Sequence, residues 1–117
     1  MKKTELLNRI AEIKTRSAWN KGVKEYAQMI VENADYLEDV RSAAELLNGA
    51  ESWKEYSYGG CALIYNGDIA ATVCAPWELK KTDGGQKEPN KNETWLDVQT
   101  RALYQAARMV DQIIKAQ

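Results

Sequence analysis

Three groups of residues in this chain have types and spacing that could do chemistry. Trp53, Tyr56, Ser57, Tyr58, Gly59, Gly60 and Cys61 crowd rings, hydroxyls and paired glycines into one short stretch. Rings with a polar handle can stack a ligand or a peptide there, or simply cover the margin of a core. Arg101, Tyr104, Arg108 and Lys115 recur at i, i+3, i+7 and i+14, the outward stripe of a helix. Two guanidinium groups with a phenol between them suit a phosphate, a carboxylate or an acidic protein face. Glu32, Asp35 and Asp39 also keep helical spacing, as paired carboxylates for hydrolysis or a cation would. A chain of 117 residues has little room for a substrate cleft beside them.

Other chemistries are excluded by what the chain lacks. It has no histidine, so Ser-His-Asp and Cys-His nucleophilic catalysis, His-ligated zinc and imidazole acid–base work all fall away. Cys61 and Cys74 show no metal or redox spacing and have no basic neighbour, which suits two small buried apolar residues. Gly59-Gly60 lacks the spacing of a phosphate-binding loop. The expectation is therefore a chain that is not an enzyme and carries no metal or cofactor.

Charge is sorted along the chain although it nearly cancels overall, at −1. Residues 1–24 are strongly basic and residues 25–55 strongly acidic. That order favours antiparallel packing of the two segments, or head-to-tail contact between protomers. So balanced a chain is a weak candidate for a dedicated nucleic-acid binder. No apolar run is long enough to span a membrane, and the basic start leads into an amphipathic segment rather than a signal core. The chain reads as one soluble, cytoplasmic domain over 1–117.

The elements that must position these residues read as mostly helical. Leu6, Ile10 and Ile13 share one face of a helix over 4–16. Ser17 or Asn20 opens a second, in which Val23, Tyr26, Ala27, Ile30, Ala34 and Leu37 keep helical spacing. The stripe runs on through Val40, Ala44 and Leu47 to a stop at Asn48-Gly49, with a break near Asn33-Ala34-Asp35 where Asp35 can cap a third helix. Ser52-Trp53-Lys54-Glu55 has the capping-box pattern and predicts a short helix ended by Gly59-Gly60. Residues 67–75 read as a helix, because Ile69 and Val73 share a face beside Ala70 and Ala71; a small hairpin over 61–74, turning at Asn66-Gly67, is the alternative. Pro76 starts a further short helix, and residues 82–92 form a polar loop. Thr94 caps the last helix, with Leu96, Leu103 and Val110 on one row and Ala107 and Ile114 on the next. The sum is a mainly α fold, a small irregular bundle of five or six helices.

Ser52-Trp53, Tyr56 through Tyr65, Asp68-Ile69-Ala70, Cys74, Glu78 through Thr82, Trp95 through Gln99 and Arg101 through Ala107 together resemble a family. It is one of short uncharacterised bacterial proteins carried on prophages and integrative conjugative elements. The likeness covers roughly the last two-thirds of the chain. It departs after Ile69-Ala70, where Ala71-Thr72 stand in place of the family's usual charged pair. The resemblance implies a mobile-element setting and supplies no catalytic residues. The expected function is that of a non-enzymatic accessory or interaction protein of a mobile element, with action against host defence by protein binding as one route. Its candidate binding residues are Trp53, Tyr56, Tyr58, Arg101, Tyr104 and Arg108, for a protein partner or a second copy. A nucleic-acid-associated accessory protein, using the basic and aromatic face of the last helix, is the alternative.

Overall fold

The computed structural model describes residues 2–55, 60–74 and 95–116, with side chains over 2–50, 62–73 and 98–116. Helix α1 (Lys3–Ala11) buries Leu6 and Ile10 and ends sooner than the sequence pattern suggests. The Ser17 hydroxyl accepts the Asn20 N–H at 3.0 Å and so opens α2 (Ala18–Glu32), satisfying one of the helix's orphan donors. The two helices lie antiparallel and finish each other's ends. Lys24 of α2 donates to the Ala11 and Ile13 carbonyls at 2.9 and 2.8 Å, where α1 runs out. Lys3 of α1 donates to the Glu32 carbonyl at 2.8 Å, at the end of α2. A cation at a helix C-terminus serves both the unpaired carbonyls and the macrodipole.

The break near Asn33 is real, but Asp35 does not cap the next helix. Asp39 does: its Oδ1 accepts the Ser42 N–H at 3.0 Å at the start of α3 (Val40–Asn48). The Asp35 N–H instead donates to the Ala70 carbonyl at 2.7 Å.

The expected bundle of five or six helices is overturned by a sheet. Strands β1 (Ala50–Glu55), β2 (Gly60–Tyr65) and β3 (Asp68–Cys74) form an antiparallel meander in that order. Among the described residues there are four helices, so the fold is α+β. The hairpin that was only the alternative over 61–74 is the one that forms, and the helices expected at 52–55 and 67–75 do not. Asn66 at φ 52° and Gly67 at φ 79° place both central residues of a two-residue turn in the left-handed region. That turn matches strand twist, and this residue pair tolerates it best. Ser52 and Glu55 lie instead in a strand paired to β2, with Ser52 opposite Ile64 and Glu55 opposite Cys61. The helix expected from Pro76 and the loop over 82–92 lie outside the described residues.

Alanine's preference for helix loses at 70 and 71 to packing. The register slips between Leu63 and Ile64, so that Leu63 pairs with Ala71 while Ile64 pairs with Ile69. The extra residue, Ala70, is buried along with Ala71, and both join the core that α2 lines with Ile30 and Val31. Small side chains let a sheet and a helix approach closely. Ala34, just past α2, even forms a β-bridge to Ala71 and so partly covers the outer edge of β3.

Helix α4 (Trp95–Lys115) closes the core from the other end of the sequence. It buries Val98, Ala102, Leu103, Ala106, Val110 and Ile114, with Ala107 half-buried beside them. None of the helices among the described residues is long and apolar enough to cross a membrane.

Candidate functional site

With Leu103, Ala106 and Val110 turned to the core, helical spacing sends Arg101, Tyr104 and Arg108 outward, and all three are exposed. Tyr104 leaves 48% of its surface open, the most of any large apolar side chain described. From Val98 through Val110 this helix carries no carboxylate. Lys115, expected on the same stripe, is taken up by an i,i+4 pair with Asp111 at 2.8 Å.

Trp19 completes the face, and the sequence did not single it out. It sits in the first turn of α2, two residues past the Ser17 cap. Its indole N–H donates to Gln105 Oε1 at 2.9 Å. The Arg101 guanidinium carbon lies 5.4 Å from the centroid of its ring, within cation–π reach. The bond to Gln105 and the contact with Arg101 hold the half-buried indole in place. The nearest sequence signal was general: an aromatic with an N–H seeks an acceptor when it is partly buried. The acceptor is 86 residues away, so spacing could not reveal it.

The other expected site residues fare differently. The backbone of Trp53 is paired with Leu63 in the sheet, while its side chain lies outside the described residues, as do Tyr56 and Tyr58 altogether. Arg101, Tyr104 and Arg108 are brought together; whether the Trp53 segment joins them is not part of the described structure. Cys61 pairs with Val73 and Cys74 with Gly60, so the two cysteines are not register partners.

Glu32, Asp35 and Asp39 do not converge on a cation. No group of three or more potential metal ligands occurs among the described residues. Asp39 is occupied as a helix cap. The Ser42 backbone N–H holds its carboxyl below the usual range; desolvation opposes this, and the Ser42 hydroxyl, the Arg41 N–H and the N-terminal charge add to the lowering. Glu32, Asp35 and Glu38 are exposed, as is Tyr36 at 46%, and the Lys3 ammonium reaches the Glu32 carbonyl at the same end of α2. The Tyr36 ring stands tilted 53° to Tyr65 at 6.2 Å between centroids. The Tyr65 ring in turn lies so close to Gly49 that a Cβ there would collide with it.

Among the described residues, two exposed tyrosines thus mark the molecule: Tyr104 between Arg101 and Arg108 on α4, and Tyr36 just beyond the end of α2. Comparison with known proteins finds no matching family model, curated protein or solved structure.

Proposed function

We propose that this chain is a non-enzymatic interaction protein that docks an acidic protein partner on the face formed by Trp19, Arg101, Tyr104 and Arg108. The observation that carries the reading is the fixing of Trp19 and Arg101 beside an exposed Tyr104. Trp, Tyr and Arg are the side chains that dominate interface energetics. Anchors already held in place lose less entropy on binding than free ones do. Val98 through Val110 of α4 carries two arginines and no carboxylate, which favours acidic partners and steers their approach.

The chain, immobilised, is used to capture proteins from bacterial lysate, in parallel with Tyr104→Ala and Arg108→Glu. A partner retained by the parent chain and lost with both variants, at unchanged melting temperature, supports the reading. Equal capture by all three proteins rejects it. The same carboxylate-free stretch favours nucleic acid as the second reading, for which the discriminating result is a gel shift that weakens steeply with salt. Carriage on a mobile element, cytoplasmic action and interference with host defence belong to the same proposal. The genes beside this one test that part.

A further inference from the structure

We infer that Asn66 is a site of spontaneous deamidation, gated by the hairpin that it turns. The chain holds two Asn-Gly pairs, Asn48-Gly49 and Asn66-Gly67. In such a pair the glycine nitrogen can attack the asparagine Cγ, because glycine has no side chain to bar the approach. The N–Cγ bond forms, the Cγ–Nδ2 bond breaks, and ammonia leaves with the proton of the attacking nitrogen. Water then opens the cyclic imide at either carbonyl and leaves aspartate or isoaspartate. The attack needs a carboxamide and an N–H that nothing else holds, and a backbone free to bring them together.

The fold treats the two pairs differently. Both asparagines are exposed, and neither carboxamide has a hydrogen-bond partner among the described residues. The Gly49 N–H, however, donates to the Glu45 carbonyl at 2.9 Å where α3 ends. The Tyr65 ring packs on the same glycine, so the backbone there cannot swing without displacing it. The Gly67 N–H has no partner among the described residues, and nothing lies within 4 Å of where a Cβ would stand. Conformation alone holds Asn66 back. At φ 52° it sits in the left-handed region, where ψ is about +47°. Its Cβ then stands nearly opposite the Gly67 nitrogen across the Cα–C bond, and the ring cannot close. Asn66 must rotate out of the turn, which an exposed hairpin tip does more readily than a helix end held by packing. The isoaspartyl product routes the backbone through Cβ. One atom longer, it no longer fits the two-residue turn that pairs Tyr65 with Asp68. Modification therefore happens in the open hairpin and opposes its closing again.

Peptide mapping by mass spectrometry tests this on the full chain, aged in mildly alkaline buffer and, unfolded, in urea. Each asparagine's rate in urea divided by its own rate in buffer measures the protection that the fold gives it. Asn66 is expected to be protected, and Asn48 at least about tenfold more so, because local opening is harder at a packed helix end than at a turn. Copies with isoaspartate at position 66, separated by chromatography, are expected to melt below the Asn66→Asp variant, which carries the same charge on an unaltered backbone. Asn48 protected no more than Asn66 overturns the inference. So does an Asn66 that reacts as fast in the folded chain as in urea. Equal melting temperatures of the isoaspartyl copies and the Asn66→Asp variant overturn it too.

Discussion

Trp19 and Gln105 are joined by a hydrogen bond of 2.9 Å that ties the first turn of α2 to the middle of α4. Gln105→Leu keeps the bulk and removes the acceptor from a part-buried indole N–H. The expected loss is about 1 kcal/mol, the usual net value of such a bond. Trp19→Phe should cost more, because it also gives up indole surface, and the double variant should cost less than the two losses added. Urea unfolding measures all three. A Gln105→Leu midpoint equal to the parent's would mean that solvent serves the indole equally well.

Gly67 has open space where a Cβ would go, so the price of a side chain there is conformational alone. With φ at 79°, Gly67→Ala should destabilise by roughly 1–2 kcal/mol. Asn66→Gly, at φ 52°, should be close to neutral, and Asn66→Val clearly worse. Thermal melts of the three decide whether this turn sets the hairpin. A harmless Gly67→Ala would show that it does not.

Gly49 poses the opposite problem, since its backbone is ordinary and its space is filled. A methyl group would meet both the Tyr65 ring and the Glu45 carbonyl, the latter at 3.0 Å. Gly49→Ala should therefore cost about 1–3 kcal/mol, as overpacking does. It should also push Tyr65 away from Tyr36, which nuclear Overhauser contacts between the two rings would report. Unchanged contacts and stability together would refute the close approach.

Asp39 should make the start of α3 sensitive to acid. Its carboxyl is lowered from the ordinary value chiefly by the Ser42 backbone N–H. A group lowered in the folded state stabilises above its unfolded pKa, and that contribution is lost as pH falls through the folded value. The Ser42 amide shift should thus titrate with a midpoint below the ordinary carboxylate range. Asp39→Asn keeps an acceptor and should abolish that titration. A midpoint at or above the ordinary value would contradict the assignment of this cap.

Those residues also show how far the sequence could be read. The Ser17 cap, the break near Asn33 and the stop at Asn48-Gly49 are local signals, and local physics decides them. Asn66-Gly67 was legible for the same reason, yet Ala70 and Ala71 argued against it. Their helix preference is a few tenths of a kcal/mol over most alternatives, and it yields to a core position that only a small side chain fits. The pair Ser52 and Glu55 fits a capping box or a strand equally well until β2 is there to pair with. In the site, Arg101, Tyr104 and Arg108 followed from spacing on a single helix. Trp19 did not, because its role is made by residues on another helix.

The bridge between Ala34 and Ala71 has a kinetic consequence. Helices α1 and α2 are consecutive in the chain and meet through Lys24 and Ala11, thirteen residues apart, and the hairpin that turns at Asn66-Gly67 is more local still. Contacts of that kind form on the microsecond scale. The bridge, and the Asp35 N–H bond to Ala70 beside it, join these two units across the whole of α3 and β1. Closing that longer loop costs entropy before any contact rewards it. In a stopped-flow experiment the observed folding rate should therefore report the docking of preformed units onto the helix pair, namely the strand hairpin and the still more distant α4, rather than the making of any one of them.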